Sequence, residues 1–210
     1  ARVLTALSND TFALSGRLSN GGVVALPNAN ETAARMAVAA AGTGAKSIIF
    51  VNTKPVSVST ARDIAKQLAL DVVLNEREAA LWSTIQTELG HAKHSVFGNG
   101  AFGAVPNNAA MLRIERMLSE QLYKRSDGAM AIVATPTLAQ GLNLPAQIAV
   151  LAGDKRAAEE GNGREDLQAH ELLNAAARAG RAGHLANGVV LLVPEPLVTF
   201  RNAALDDSRL

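Results

Sequence analysis

Four short, almost uninterrupted apolar runs constrain this chain most: Ile48–Val51, Met130–Thr135, Ala149–Ala152 and Val189–Val193. A strand with one wet face alternates apolar and polar residues, whereas continuous runs belong to strands covered on both sides. Between them the period changes to that of amphipathic helices, over Val58–Ala69, Asn75–Gly90 and Met111–Lys124. Strand and helix therefore alternate over residues 45–193, which predicts an α/β fold: a parallel sheet with helices on both faces. Aromatic residues make up 3% of the chain against 48% hydrophobic residues, so the core must be Ala, Val, Leu and Ile. Such a core suits helices packed closely on a parallel sheet.

Charge and composition narrow the partners. The net charge is +1, from 20 basic and 19 acidic residues, so any surface for nucleic acid must be a local patch rather than a bulk field. Cysteine is absent, which removes disulfides and thiolate metal sites and fits a cytoplasmic protein. No secretory pattern and no apolar run of spanning length is present, so no membrane partner is expected. The chain starts at Ala1 and stops after Asp206-Asp207-Ser208-Arg209-Leu210, and both ends read as cuts in a longer protein.

Residues 1–27 hold short apolar runs punctuated by Ser, Asn and Gly, read as strands or hairpin pieces of a linker or sheet edge. The domain proper is expected over 28–196, with 197–210 leading toward a following domain. Asn28–Glu31 offers a cap, and Thr32–Ala41 is rich enough in Ala to be helical. Gly42-Thr43-Gly44-Ala45-Lys46-Ser47 has the flavour of a phosphate loop, but its glycines are misplaced and a helix precedes it where a strand should. It reads as the turn that ends a helix.

The stretch with the most chemical meaning is Asn174-Ala175-Ala176-Ala177-Arg178-Ala179-Gly180-Arg181. Arginines three residues apart share a face if the segment is helical, and small neighbours allow a bulky group to approach. Each guanidinium is permanently charged and presents a planar fork of donors suited to phosphate. Alone, such a pair is more often a solvated face. Upstream, however, runs Ala134-Thr135-Pro136-Thr137-Leu138-Ala139-Gln140-Gly141-Leu142-Asn143-Leu144-Pro145-Ala146.

Together these two segments resemble motifs V and VI of the superfamily 2 helicases, the DEAD/DEAH-like translocases. Their usual forms are Ala-Thr-x-x-Leu-Ala-x-Gly-x-Asn-x-Pro-Ala and, about thirty residues later, Gln-x-x-Gly-Arg-x-Gly-Arg. The first is matched throughout; in the second, Asn174 replaces Gln and Ala177 replaces the first Gly. The strand Ile48–Val51, its exit Asn52-Thr53-Lys54 and the helix beyond are similar to motif IV. The resemblance implies the second RecA-like domain of such a helicase, a P-loop NTPase-like fold without its own P-loop.

It further implies that Arg178 and Arg181 are catalytic, with Arg181 as the arginine finger proper. Gly141, Asn143 and Asn174 would join both arginines around the nucleotide, while Thr53, Lys54, Thr135 and Pro136 would meet the nucleic-acid backbone. ATP and Mg²⁺ would be held mainly by a first RecA-like domain of the same parent chain, and the fragment alone would not hydrolyse ATP. The track is single-stranded or duplex nucleic acid, DNA or RNA. Asn174 and Ala177 leave an alternative open: a catalytically degenerate helicase-like module that binds nucleic acid or a protein.

Several tempting features carry less. Trp82 lies among helical apolar positions and reads as core. His91 and His94 lack acidic or thiol companions, and His170–Asn174 misses the second histidine of a zinc-protease helix, so no metal site is expected. Phe97–Asn108 is read as an extended Gly/Asn loop with two outcomes. Either Phe97 or Phe102 stacks on bases, or the stretch is a surface turn with one Phe tucked inward. Lys155–Arg164 reads as a mobile charged loop, followed by a helix opening at Glu165-Asp166.

Overall fold

The computed structural model describes residues 16–19, 22–25, 29–90, 95–98, 100–135, 144, 146–153, 155–157, 164–166 and 188–193. An antiparallel hairpin, β1 (Gly16–Ser19) and β2 (Gly22–Ala25), precedes helix α1 (Ala29–Gly42). Strand β3 (Ser47–Phe50) leads to α2 (Lys54–Leu68) and α3 (Glu76–Glu88). Then come β4 (Ala104–Asn107), α4 (Arg113–Lys124), β5 (Ala131–Ala134) and β6 (Ile148–Ala152). A short antiparallel ribbon, β7 (Lys155–Ala157) with β8 (Arg164–Asp166), comes before β9 (Val189–Val193).

The main sheet has the order β4-β5-β3-β6-β9 and every pairing in it is parallel. Alternation along β3 splits the core in two, because successive side chains leave opposite faces. Ile48 and Phe50 join Ile85, Leu118, Leu122 and Ile132 beneath α3 and α4. Ile49 and Val51 join Ala33, Ala37, Ala61 and Ile64 beneath α1 and α2. The alanines of α1 let it lie close to α2 and the sheet without aromatic bulk. This is the α/β parallel sheet with helices on both faces that the apolar runs predict, in the RecA-like form that the helicase resemblance implies.

The helix boundaries have local causes. Asn75 caps α3 by accepting from Glu78 N at 2.9 Å, while Glu78 returns the favour to Asn75 N at 3.0 Å. The α1 exit is the expected turn, with Gly44 at φ +80° and its N–H donating to Ala41 O at 2.9 Å.

Some expectations are corrected. The Phe97–Asn108 stretch is not all loop, since Ala104–Asn107 forms edge strand β4. Pro106 hid it, yet proline is tolerated on an edge. Neither phenylalanine is available to bases: Phe97 and Phe102 are both buried, with Trp82 edge-on to them at 6.0 and 5.3 Å. The helical period of Met111–Lys124 places Glu115 with Arg113, Arg116 and Glu120 on the outer face, but Glu115 is buried, accepting from Leu112 N at 3.0 Å and Val96 N at 3.3 Å. Glu165 and Asp166 lie in β8, not in the first turn of a helix, and β7 with β8 structures the ends of the Lys155–Arg164 segment. β9 is less covered than its apolar run implies, with Val189, Val190 and Leu192 about half exposed, because it ends the sheet.

Lys46 closes the opposite end of the sheet. Its ammonium donates to Tyr123 O at 2.6 Å and to Arg125 O, and lies 5.1 Å from the Tyr123 ring centroid. It is therefore engaged with the last turn of α4, where cations are favoured. Burial pulls its pKa down to about 8, opposed by Asp127 and assisted by Arg125. An unfolded lysine keeps its proton to about pH 10.4, so between these values the unfolded chain binds more protons. Stability from this group should thus be flat below about pH 8 and rise from there to about 10.4. Urea midpoints across that range should show the rise in the native protein and lose it in Lys46→Met; an identical rise in both would contradict this assignment.

Candidate functional site

Parallel strands end together, and open α/β sheets build their sites on the loops at those carboxyl ends. Here Phe50, Ala134 and Asn107 stand level across β3, β5 and β4. One step beyond, Val51 N donates to Ala134 O at 3.0 Å, so the exits of β3 and β5 leave the sheet side by side. Thr53 and Lys54 follow on one exit and Thr135 on the other.

Thr53 is the N-cap of α2, with φ −135° and ψ 152°, and its Oγ1 accepts from Val56 N at 3.4 Å. That is a long capping bond on an exposed side chain. Lys54 begins the helix and is exposed. Pro55 has no N–H and the Val56 N–H is already given to Thr53 Oγ1, so the Lys54 N–H and its ammonium supply the positive charge at this corner of the edge. Helix α2 starts at Lys54, four residues before the apolar periodicity begins, so both residues belong to a helix start.

Thr135 is 6% exposed and its hydroxyl has no hydrogen-bond partner. Asn107, fully buried at the end of β4, has neither amide atom bonded. Unpaired buried polar groups cost roughly 1–3 kcal/mol each, so two of them on adjacent strand ends are conspicuous. Asn108 is satisfied by contrast: Nδ2 donates to Ser57 Oγ at 2.8 Å and Lys54 O at 3.4 Å, and Oδ1 accepts from Ala110 N at 2.9 Å.

The structure thus brings Thr53, Lys54 and Thr135 to one edge. Pro136, Gly141, Asn143, Asn174, Arg178 and Arg181 lie outside the described residues, as do His91, His94 and His170. Sequence reasoning missed Asn107 and Asn108. The Asn-Asn pair ahead of α4 was visible, but its place beside Thr135 and α2 follows only from the sheet order. Gly42–Ser47 takes no part, since Lys46 is spent on α4 carbonyls at the other end of β3. Among the described residues, no group of three His, Cys, Asp or Glu side chains could hold a metal ion. No helix among them is long and apolar enough to cross a membrane.

The parallel sheet with helices on both faces defines an α/β domain of RecA-like type. No family model matches the chain. It is 31% identical over 160 residues to the DExH-box ATP-dependent RNA helicase DExH14 of Arabidopsis thaliana, a match covering 72% of this chain and 7% of that protein. It is 28% identical over 183 residues to the ATP-dependent DNA helicase Hel308 of Pyrobaculum calidifontis, covering 84% of this chain and 25% of the relative. The RQC trigger complex helicase SLH1 of Saccharomyces cerevisiae is 28% identical over 159 residues, covering 71% and 8%. The chain belongs to the DEAD/DEAH-like superfamily 2 helicases. Its matches span between 7% and 25% of the length of these relatives.

Proposed function

We propose that this chain is the second RecA-like half of an ATP-dependent nucleic-acid helicase or translocase, with residues 28–196 as the domain itself. The observation that carries this reading is the shared edge: an orphan Thr135 hydroxyl beside a helix start bearing Thr53 and Lys54. A phosphodiester oxygen accepts hydrogen bonds and carries negative charge, and that hydroxyl, the Lys54 N–H and the Lys54 ammonium are donors and a cation that match it. The helicase resemblance adds Pro136, which lies outside the described residues, to the same backbone contact. A grip on phosphates is largely blind to sequence and weakens as salt rises. The relatives include a protein named as an RNA helicase and one named as a DNA helicase, so the track is taken as nucleic acid of either kind.

On this reading ATP and Mg²⁺ sit mainly on a first RecA-like domain. Across the cleft, Arg178 and Arg181 contact the phosphates, with Gly141, Asn143 and Asn174 around the nucleotide. Closure on ATP and opening after hydrolysis then move this half along the strand it holds. By itself the chain should not turn ATP over. The departures at Asn174 and Ala177 favour one other reading, a helicase-like module that binds nucleic acid or protein without catalysis.

Thr135→Val separates function from folding. It keeps the shape but deletes a hydroxyl that is buried without a partner, so stability should rise by about 1 kcal/mol. In a protein joining this chain to a first RecA-like domain, nucleic-acid-stimulated ATP turnover should nonetheless fall about tenfold through the lost backbone contact. Thermal melts and steady-state turnover report the two effects. Unchanged stimulation would remove Thr135 from the grip.

A further inference from the structure

The start of α2 is poorly held by its own cap, yet it is fixed from elsewhere. Thr53 Oγ1 lies 3.4 Å from Val56 N, on the surface. The short bonds run through Ser57: Asn108 Nδ2 donates to Ser57 Oγ at 2.8 Å and Ser57 Oγ donates to Lys54 O at 2.8 Å, while the direct approach of Asn108 Nδ2 to Lys54 O is a longer 3.4 Å. Asn108 is 1% exposed and Ser57 is fully buried, so water does not compete for these bonds. The carbonyl of Asn108's side chain is tied in turn to Ala110 N at 2.9 Å, which sets the direction of the amide.

The topology gives this clamp its meaning. Asn108 follows β4 and α2 follows β3, and the two strands are not neighbours, because β5 lies between them. The clamp therefore crosses the carboxyl end of β5 at the point where Thr135 leaves the sheet. It ties together the exits of β3 and β4, the strands on either side of β5.

We propose that Asn108 is a positioning residue for the nucleic-acid grip, acting through Lys54 and the first turn of α2 rather than by touching the ligand. This rests on the reading of that turn as a backbone contact. An amide suits the role because it supplies two donors and one acceptor from one planar group. Aspartate in its place would set a charged acceptor against Lys54 O. Without the clamp the first turn frays, and the backbone that carries Lys54 loses its fixed place even though no charge has been removed.

Fluorescence anisotropy of this chain with fluorescein-labelled oligouridine and oligodeoxythymidine, titrated at several salt concentrations, tests the proposal. Lys54→Ala should weaken binding about threefold to tenfold and lower the salt slope by about one phosphate contact. Asn108→Ala should do nearly the same although it is charge-neutral, and should add less than about twofold in the Lys54→Ala background. Ser57→Ala, a milder cut of the same clamp, should move affinity and slope in the same direction, and thermal melts establish that each variant is folded. A lowered salt slope from a neutral substitution is a result that general loosening of the fold does not produce. If both clamp variants bind with native affinity and slope, or if the Asn108 and Lys54 losses simply add, the positioning role is overturned. If Lys54→Ala itself binds normally, the grip on α2 fails and the clamp's role fails with it.

Discussion

Arg181→Ala, in a protein that unites this chain with a first RecA-like domain, should lower steady-state ATP turnover about a thousandfold or more while ATP binding changes only severalfold. The asymmetry follows from when the contact matters. On the proposed reading, negative charge on the γ-phosphate in the ground state would already be met by Mg²⁺ and by donors of the other half. During transfer it spreads over the equatorial oxygens, and a guanidinium placed there is worth more in the transition state than before it. Arg181→Lys should rescue little, because an ammonium keeps the charge but lacks the planar fork. Arg178→Ala should fall in the same direction by a smaller factor, as befits a partner that contacts or positions phosphate.

Gly128→Ala should be the most damaging small change to the fold. A Cβ on Gly128 would stand 1.9 Å from Leu122 O and 2.9 Å from Leu122 C, and both are backbone atoms of α4. Nothing flexible is available to move aside. Gly128 N donates to Arg125 O at 3.2 Å and Ala129 N to Leu122 O at 2.9 Å, so the turn is tied to the helix it would have to leave. Displacing it also disturbs the Tyr123 and Arg125 carbonyls that receive Lys46. A loss of about 3 kcal/mol is expected, read as a lower urea midpoint with an unchanged slope. A native midpoint would contradict the close approach.

The features legible in the sequence were the ones set by local pattern. Continuous apolar runs gave β3, β5 and β6 because a strand covered on both faces has no polar side to show. The helical period over Asn75–Gly90 gave α3, and the structure shows its start fixed by Asn75 and Glu78 through capping chemistry confined to four residues. Strand β4 escaped because Pro106 and Asn107 replace an apolar run, and edge position alone makes them acceptable. Glu115 looked like a surface charge because its partners, Leu112 N and Val96 N, come from the backbone and partly from a distant segment. The ribbon of β7 and β8 pairs polar residues, so period gave no sign of it.

The site divides along the same line. Thr53, Lys54 and Thr135 were nominated by likeness to helicase motifs IV and V, and the sheet brings their strand exits side by side. Asn108 could not be nominated in that way, since its role depends on β5 lying between β4 and β3. A sequence states which residues exist at a turn. The order of strands decides which turns meet.

Steady-state ATP turnover measured beside equilibrium ATP binding, on native and Arg181→Ala forms of the two joined halves with saturating nucleic acid, bears most directly on the motor reading. The expected result is near-native nucleotide affinity with turnover reduced by orders of magnitude. Turnover equal to the native protein's would show that the guanidinium does not complete the nucleotide site, and the motor assignment would fall.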